Sequence, residues 1–249
     1  MSEKEWYKPT EEDISPFGLT YIKEFALPSE RTKQEVRSLG LIISAMSRKP
    51  RVLDIAGGFG RIGSELVRLN LVSSLVNLDL NRQFLQIARA GNIKRVVWGD
   101  MRALPFSDRS FDLALIMFTS FGYFSDEDNF RVLEEAYRVL DYDGILVLDL
   151  PNYDRICRNF SSGREKTIEN GEVIAYRRRI EGVYLIEERT LKTKAGEEKT
   201  LLPIRLRIYS PEEMLDLCQK AGFKTVKFVD QNLEEFTQDS KRVWVVGTK

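Results

Sequence analysis

The chain has 249 residues, of which 43% are hydrophobic, and its 38 basic side chains are balanced by 38 acidic ones. These values exclude wholesale disorder and predict one sizeable domain with room for an insertion. A net charge of zero argues against a broad, sequence-blind nucleic-acid surface, which normally shows a basic excess. The chain has no histidine, which excludes Ser–His and Cys–His nucleophiles and zinc sites built on imidazole.

Cysteine usage and hydropathy predict a cytoplasmic protein. Cys157 and Cys218 show neither CxxC nor zinc spacing, as is typical of a reducing compartment. No apolar run approaches the roughly 18 residues of a membrane span, and the N-terminus lacks a signal-peptide core. We therefore expect no membrane contact and no bound metal ion.

The first half of the chain predicts an arm followed by an α/β core. Residues 1–28 mix aromatic, acidic and Pro/Gly positions, which predicts an N-terminal arm that packs on the rest of the chain. A helix is predicted from the N-cap residue Ser29, because Val36, Leu39 and Ile43 follow at helical spacing. Short apolar strands then alternate with amphipathic helices, which predicts a parallel sheet covered on both faces. The predicted strands are Arg51–Ala56, Leu75–Leu80, Lys94–Trp98, Phe111–Phe118 and Gly144–Leu150.

The pattern changes after about Asn159, where strand-like runs are separated by turn signals. Such signals, beginning with Asn170-Gly171, predict hairpins. We therefore expect residues 160–209 to form an antiparallel β lid, inserted into a core made of residues 29–159 and 210–249. The strand-like runs are 172–180, 183–194 and 199–209.

The C-terminal segment completes the predicted sheet. Ser210 begins a helix with a serine cap, a proline in the first turn and a glutamate that completes a capping box. Two closing strands follow, near Phe223–Asp230 and Arg242–Gly247. The predicted fold is a Rossmann-like α/β fold with a seven-stranded, mostly parallel sheet, helices on both faces and a terminal antiparallel strand.

The sharpest motif is the glycine-rich stretch Asp54–Gly63, which follows the first predicted strand. Small residues let the backbone approach a ligand, and the next helix supplies oriented N–H groups. Gly58–Gly63 matches GxGxxG, and Asp79 follows about twenty residues later, a combination typical of NAD-dependent oxidoreductases. However, the Asp54 carboxylate directly before the loop would repel a pyrophosphate and suits a ligand with an ammonium group.

A third carboxylate, Asp100, follows the third predicted strand. The ends of neighbouring parallel strands line one crevice, so Asp54, Asp79 and Asp100 are expected to meet there. Their carboxylates suit an amine, a ribose diol and an exocyclic adenine amine, respectively. Each aspartate alone also fits an ordinary helix cap or turn, but their joint placement favours a ligand.

The stretch Asp54–Gly60, together with Asp79, Asp100 and Phe111-Asp112, resembles class I S-adenosylmethionine-dependent methyltransferases over about residues 50–150. The resemblance implies S-adenosylmethionine as cofactor and S-adenosylhomocysteine as product. Ala56 stands where the family usually has its first glycine, so we expect a negative φ at this position. The cofactor-binding residues that the resemblance implies are Asp54, Ala56, Gly57, Gly58, Phe59, Gly60, Asp79, Leu80, Asp100, Met101 and Phe118.

A narrower resemblance concerns the acceptor side. The runs Phe118–Phe124 and Arg207–Ser210 are similar to a group of small-molecule methyltransferases whose substrates are mostly unassigned. That group also carries an inserted antiparallel lid. The acceptor contacts predicted here are Tyr123, Asn152, Arg205, Arg207 and Tyr209.

Two questions stay open on the acceptor side. No catalytic base is identified, and the candidates in the sequence are Tyr123, Tyr153, Asp149 or a lysine or glutamate of the lid. Arg177–Arg179, with Arg205 and Arg207, would either form an anion-binding wall or be the solvated face of a strand.

Together these patterns predict a methyltransferase that moves a methyl group by in-line displacement to a nitrogen or oxygen atom of a small molecule. The alternatives are an NAD-dependent oxidoreductase, a non-catalytic sensor or scaffold, and a methyltransferase acting on RNA or protein. The arm 1–28 is expected to close over the donor, with Tyr7, Tyr21 or Arg31 near its carboxylate. The sequence leaves the acceptor and the oligomeric state open.

Overall fold

The computed structural model describes residues 30–168 and 171–249, in which helices and strands follow one another largely in the predicted order. The predicted arm 1–28, including Tyr7 and Tyr21, lies outside the described residues. The helices are α1 (Glu30–Ser44), α2 (Arg61–Arg68), α3 (Arg82–Ala90), α4 (Asp126–Val139), α5 (Tyr153–Arg158) and α6 (Pro211–Lys220). The strands are β1 (Arg51–Ile55), β2 (Ser74–Asp79), β3 (Arg95–Trp98), β4 (Phe111–Ile116), β5 (Leu140–Pro151), β6 (Gly163–Thr167), β7 (Val173–Glu181), β8 (Tyr184–Lys192), β9 (Glu198–Thr200), β10 (Ile204–Arg207), β11 (Thr225–Val229) and β12 (Arg242–Thr248).

A seven-stranded sheet with the order β11-β12-β5-β4-β1-β2-β3 forms the centre of the fold. Strands β1 to β5 pair in parallel, and β12 runs antiparallel between β5 and β11. This arrangement confirms the predicted Rossmann-like sheet with a terminal antiparallel strand. The chain turns from one half of the sheet to the other between β1 and β4, so a crevice opens at their carboxyl ends.

The central strands are buried on both faces because their side chains are apolar without alternation. In β4, Leu113 and Leu115 pack into one hydrophobic cluster, whereas Ala114 and Ile116 pack into the other, across the sheet. All four side chains are fully buried. Each large apolar side chain buried in this way contributes about 1.5–3 kcal/mol to the free energy of folding.

Helix starts follow the capping chemistry of the sequence. Ser210 accepts a hydrogen bond from the Glu213 N–H while the Glu213 side chain accepts one from the Ser210 N–H, which confirms the predicted capping box. Asn81 caps α3, and its side chain accepts hydrogen bonds from the N–H groups of Gln83 and Phe84. Such caps are worth about 1 kcal/mol each and fix where the helix begins.

A second, smaller sheet with the order β10-β8-β7-β6 is antiparallel, and β9 pairs with the C-terminal end of β8. The sequence did not predict β6, because its residues, GREKT, are mostly exposed and show no apolar alternation. The run predicted at 199–209 is two short strands separated at Leu201–Pro203, since a proline supplies no N–H for the ladder. The description of 160–209 as a lid stays a prediction.

Candidate active site

A first cavity opens at the carboxyl ends of β1, β2, β3 and β4, at the switch point of the large sheet. It encloses about 110 Å³, and its walls come from the loop after β1, the ends of β2 and β3, and the segment after β4. The lining residues are Asp54, Ala56, Gly57, Gly58, Phe59, Arg61, Ile62, Leu78, Asp79, Leu80, Asn81, Phe84, Gly99, Met101, Met117, Phe118, Ser120, Tyr123 and Phe124.

Crowding explains why the loop after β1 needs glycine at position 57. A Cβ atom on Gly57 would lie 1.9 Å from Oδ1 of Asn77 and 2.6 Å from Cγ of Asp54. The next residue, Gly58, has a φ of +58°, and its N–H donates to Oδ2 of Asp79 at 2.8 Å. The loop backbone is therefore held close to β2, where it forms one wall of the cavity.

Ala56 has a φ of +53°, so the expected negative φ is wrong. The left-handed region costs an L-residue roughly 1–2 kcal/mol. The neighbouring Gly57 N–H donates to the carbonyl of Leu78 at 3.1 Å, which ties the turn to β2. The position thus has a left-handed backbone, which glycine favours, although its residue is alanine.

Asp54 supplies a buried carboxylate to the wall of the first cavity. Its side chain is 1% exposed, and Oδ2 has no hydrogen-bond partner among the residues that the structure describes. Burial raises the pKa of Asp54 to about 7, against the Coulombic effect of Arg61, which lowers it. A buried acceptor without a donor is costly, so this oxygen suits a ligand that brings an N–H or a positive charge.

Asp79 lies at the end of β2, with both carboxylate oxygens bound by the backbone. Oδ2 accepts from Gly58 and Oδ1 accepts from Asn81 at 2.7 Å. Burial raises the pKa of Asp79 to about 6, and the N–H groups of Asn81 and Gly58 oppose the rise. Each oxygen keeps a further lone pair for a hydroxyl donor. Two carboxylates in one cavity, Asp54 and Asp79, disfavour an anionic ligand there.

Two of the predicted cofactor residues, Gly60 and Asp100, do not line the first cavity, whereas the other members of that set do. The Asp100 carboxylate is paired with Arg102 at 2.7 Å. Its neighbours Gly99 and Met101 face the cavity instead. A contact between Asp100 and an adenine amine stays a prediction.

Sequence reasoning missed several lining residues, among them Arg61, Asn81, Phe84 and Phe124. Arg61 and Asn81 directly follow the glycine loop and Asp79, so proximity to the motif was an available signal. Phe84 lies edge-on to Phe59 with ring centroids 5.7 Å apart. Aromatic positions of this kind read as ordinary core residues, and no sequence pattern distinguishes them from a pocket wall.

The segment after β4 is held by a buried network. Phe118 has a φ of +58°, and its N–H donates to Oδ2 of Asp149 at 3.0 Å. Asp149 is fully buried and also pairs with Arg242 at 2.7 Å and with Arg31 at 3.2 Å. The guanidinium groups of Arg31 and Arg61 lie 4.3 and 4.9 Å from the centroid of the Phe118 ring. Asp149 therefore anchors this segment and is not available as a base.

A second cavity of about 630 Å³ adjoins the first and lies between the large sheet and the small one. Phe118 and Tyr123 line both cavities, so the two meet at these side chains. Ligand pockets usually have roughly 300–1,000 Å³, so the second cavity has room for a small molecule. The remaining lining residues are Arg31, Thr119, Pro151, Asn152, Arg155, Ile156, Asn159, Phe160, Ser161, Arg164, Lys166, Tyr176, Arg178, Leu185, Glu187, Arg189, Ile204, Leu206, Lys241 and Arg242.

Arg207 and Tyr209, which are predicted acceptor contacts, line neither of the two cavities. Arg207 is buried and pairs with Asp126 at 3.0 Å and with Glu213. The Tyr209 hydroxyl donates to the same Asp126 carboxylate at 2.9 Å and accepts from Asn129. Both side chains tie the end of the small sheet to α4 and α6.

The other acceptor-side predictions have mixed outcomes. Asn152 borders the second cavity, but its side chain is 1% exposed, caps α5 and donates to the Ser240 carbonyl at 2.7 Å. Its role is therefore structural. Arg205 is exposed and stacks on Tyr184, away from both cavities, and the candidate base Tyr153 lines neither of them.

Tyr123 is the predicted catalytic and acceptor residue that lies where the two cavities meet. Burial raises the pKa of its phenol well above the ordinary value, and a hydrogen bond with Ser120 only partly opposes this. The phenol is therefore protonated at neutral pH. It can donate a hydrogen bond, but it cannot serve as a base through its phenolate.

Neither a metal-binding cluster nor a membrane span is found in the described ranges. No group of three or more Asp, Glu or Cys side chains there is placed to hold a metal ion. The longest helix of residues 30–168 and 171–249, α1, has 15 residues, and none is long and apolar enough to cross a bilayer. A membrane helix needs about 20 apolar residues.

Comparison with known sequences finds a family match in the core of the chain. Residues 52–144 match a family described as a methyltransferase domain. The chain is 29% identical over 185 residues to an uncharacterized protein of Methanocaldococcus jannaschii, covering 73% of this chain and 64% of that one. It is 34% identical over 161 residues to a demethylmenaquinone methyltransferase of Thermotoga maritima, covering 59% of this chain and 66% of that one. The chain thus spans slightly less than two thirds of the length of these relatives.

Comparison with solved structures identifies the same fold over most of the chain. The sugar N-methyltransferase KedS8 from Streptoalloteichus sp. superposes with a TM-score of 0.72 at 18% identity, covering 93% of this chain and 91% of that one. At this identity the likeness shows a shared fold. Residues 52–144 therefore match a methyltransferase domain, and the chain shares its fold with S-adenosylmethionine-dependent methyltransferases.

Proposed function

We propose that this chain transfers a methyl group from S-adenosylmethionine to a nitrogen or oxygen atom of a small molecule. The observation that carries the proposal is the meeting of the two cavities at Phe118 and Tyr123. S-Adenosylmethionine supplies a methyl group on a sulfonium sulfur, from which an acceptor displaces it in line. Holding the acceptor atom and the methyl carbon in line is the main task of such a site, and adjoining cavities suit it.

The first cavity fits the donor in charge and shape. Asp54 offers a buried, partnerless oxygen that suits the methionine ammonium group, and Asp79 offers lone pairs that suit ribose hydroxyls. A Cβ at Gly57 would collide with Asn77 and Asp54, so glycine at this position lets the loop backbone form the cavity wall. Arg61 lines the same cavity and suits the methionine carboxylate. The enclosed 110 Å³ holds only part of such a ligand, so we infer that the donor extends into the second cavity or that the walls move.

The groups near the junction favour an acceptor that needs no base. Tyr123 is protonated at neutral pH, and Asp149 is committed to Arg242 and Arg31. Glu187, the carboxylate that lines the second cavity, accepts a hydrogen bond from Arg178 at 2.6 Å. An amine can attack as its neutral form and release its proton afterwards, whereas a hydroxyl benefits from a base. We therefore favour a nitrogen acceptor.

A carbon acceptor is the second candidate, because relatives of this chain are named a demethylmenaquinone methyltransferase and a ubiquinone/menaquinone biosynthesis C-methyltransferase. A quinone with an apolar tail suits an apolar cavity. Nine of the 22 residues that line the second cavity are instead charged. This difference favours a polar acceptor.

The experiment is a turnover assay that measures S-adenosylhomocysteine release with pooled small amines, alcohols and quinones. We expect release with amine pools and not with quinone pools. The Tyr123→Phe variant keeps the ring but lacks the hydroxyl, and it should retain turnover because the phenol is not the base. Absence of release in every pool, despite donor binding, would instead support a non-catalytic, donor-binding protein.

A further inference from the structure

The second cavity carries a strong excess of positive charge. In the described part of the chain its lining contains one carboxylate, Glu187, among many cations. The cationic lining residues are Arg31, Arg155, Arg164, Lys166, Arg178, Arg189, Lys241 and Arg242. Resting on the proposed methyl transfer, we propose that the acceptor is an anionic small molecule, with a phosphate or carboxylate group held by this cationic wall.

Half of the cationic residues of this wall lie on a single face of the small sheet. Side chains of alternate residues in a strand share a face, and the lining residues of β6, β7 and β8 follow this period of two. The register places Arg178 opposite Glu187 and Tyr176 opposite Arg189. The lining residues from these three strands are Arg164, Lys166, Tyr176, Arg178, Leu185, Glu187 and Arg189.

The same register shows which arginines do not belong to the wall. Arg177 and Arg179 alternate with Arg178, so they lie on the opposite face of β7, and Arg179 pairs there with Glu188 at 2.6 Å. The anion-binding wall suggested by the sequence around Arg177–Arg179 therefore keeps only Arg178. The opposite face provides matched control positions on the same strands.

Internal ion pairs offset only part of the charge. Asp149 is shared by Arg31 and Arg242, and Glu187 is paired with Arg178. Among the residues with assigned structure, no carboxylate lies within ion-pairing distance of Arg155, Arg164 or Lys241. Arg155 donates instead to the backbone carbonyl of Asp239, and Arg164 lies over the ring of Tyr176. These positive charges attract an anionic ligand.

The chemistry of the cations indicates the class of anion. Guanidinium groups bind phosphate and carboxylate oxygens with two parallel hydrogen bonds, and ammonium groups add a point charge. Arg155 extends from α5, Arg164 from β6 and Lys241 from the segment before β12. Because these three elements border one cavity, a phosphate or carboxylate group bound there is contacted from several directions.

The positive field also affects the atom that accepts the methyl group. A cationic environment disfavours protonation of a nearby amine and so lowers its pKa. An acceptor amine at the junction near Tyr123 is then neutral, with its lone pair free to form the bond to the methyl carbon. The carbon–sulfur bond breaks as this bond forms, and the proton of the methylated amine leaves to solvent. The cationic wall thus binds the acidic group of the acceptor and favours the neutral form of its amine.

The test is a calorimetric titration with inorganic pyrophosphate and, separately, with succinate, in the presence of saturating S-adenosylhomocysteine. The product occupies the glycine loop, so a signal reports on the second cavity. Binding of pyrophosphate alone indicates a phosphate ligand, and binding of succinate alone indicates a carboxylate ligand. The double variant Arg164→Gln, Lys241→Gln should weaken the preferred anion about tenfold or more, because each lost charge-assisted contact is worth roughly that factor.

The matched control is Arg177→Gln, Arg179→Gln, which removes two charges from the opposite face and should leave the affinity within about twofold of the parent, since exposed charges contribute little. The proposal is overturned if neither anion binds the parent protein, or if the two double variants bind equally well. Binding of S-adenosylhomocysteine without anion binding contradicts this proposal alone. Failure to bind S-adenosylhomocysteine contradicts the proposed function. In that case a titration with the anions, without S-adenosylhomocysteine, tests whether the wall binds anions.

Discussion

The two cavities are built by different means and carry opposite charge. The first is formed by backbone turns and by two carboxylates, Asp54 and Asp79, at adjacent strand ends. The second lies between one face of the antiparallel sheet and the large sheet, and its lining is strongly cationic. They meet at Phe118 and Tyr123. A local motif therefore determines the first cavity, whereas the register of a sheet determines much of the second.

The largest effect is expected where the two cavities are joined. Asp149→Ala removes the carboxylate that holds Arg242, Arg31 and the Phe118 N–H. Breaking a buried ion pair on one side leaves unpaired charge and costs about 3–5 kcal/mol. Differential scanning calorimetry should therefore show a melting temperature lower by roughly 10 °C, given about 2–4 °C per kcal/mol for a chain of this size.

A surface ion pair is the control for this prediction. Asp108 pairs with Arg138 at 2.9 Å, but its side chain is 71% exposed. Asp108→Ala should change the free energy of unfolding by less than about 1 kcal/mol. Equal losses in the two variants would show that Asp149 does not hold the junction.

Two glycine-to-alanine variants separate the effect of a steric clash from the effect of backbone strain on stability and donor binding. Gly57→Ala puts a Cβ 1.9 Å from Asn77 Oδ1, so it should lower stability by about 1–3 kcal/mol and abolish detectable donor binding. Gly182→Ala is the comparison, because Gly182 has a φ of +59° but no atom within 4 Å of a Cβ. The Gly182→Ala variant should be destabilised only by the roughly 1–2 kcal/mol that a left-handed backbone costs an L-residue. It should bind donor normally. Thermal melts and calorimetric titrations measure both.

These two regions also show how much the sequence predicts. The strand–glycine loop–helix pattern and the acids at strand ends predict the first cavity, because turn chemistry and strand polarity are local properties. The opposite assignments of Arg178 and Arg177 were not predictable, since shifting a strand by one residue exchanges its faces. The structural contacts of Arg207 and Tyr209 were not predictable either, because buried polar residues that join elements are of the same residue types as ligand contacts.

Replacing one aspartate at a time tests which carboxylate contacts the donor. Asp79→Asn keeps the size of the side chain but removes charge and acceptor capacity, so donor affinity should fall about tenfold or more. Asp100→Asn is the counterpart, because Asp100 pairs with Arg102 and does not line the cavity. Its effect on donor affinity should be smaller than that of Asp79→Asn. An equal loss in both variants would restore Asp100 as a direct contact.

The affinity for S-adenosylmethionine should rise with pH. Burial raises the pKa of Asp54 to about 7 and that of Asp79 to about 6, so both carboxyls are partly protonated in the acid range. A cationic donor prefers the ionised forms, and affinity should increase up to about tenfold per pH unit between roughly pH 5 and 7 before it levels off. Calorimetric titrations across this range measure the slope, and Asp54→Asn should flatten it.

The ligand-free protein should show the opposite pH trend at Asp54. Its folded-state pKa lies above the ordinary value of 3.8, so the folded state binds the proton more tightly than the unfolded state does. The contribution of Asp54 to stability is therefore present below about pH 4 and is lost as the pH rises to about 7. The difference in unfolding free energy between the parent and Asp54→Asn across this window isolates the contribution.

The smallest effect is expected at Ala56. Its φ of +53° costs roughly 1–2 kcal/mol, and Ala56→Gly relieves it. Glycine also increases the conformational entropy of the unfolded chain, which lowers the free energy of unfolding by about 0.4–1 kcal/mol. The melting temperature should therefore rise by at most a few degrees, without loss of donor affinity. A lower melting temperature would show that the turn does not strain the alanine.

The central claim is that the carboxylate-lined first cavity binds an adenosyl sulfonium. The most direct measurement is a pair of calorimetric titrations of the purified protein, one with S-adenosylmethionine and one with NADH. We predict saturable one-site binding of S-adenosylmethionine, weakened in Asp79→Asn, and no saturable binding of NADH. Saturable binding of NADH without binding of S-adenosylmethionine would contradict the account.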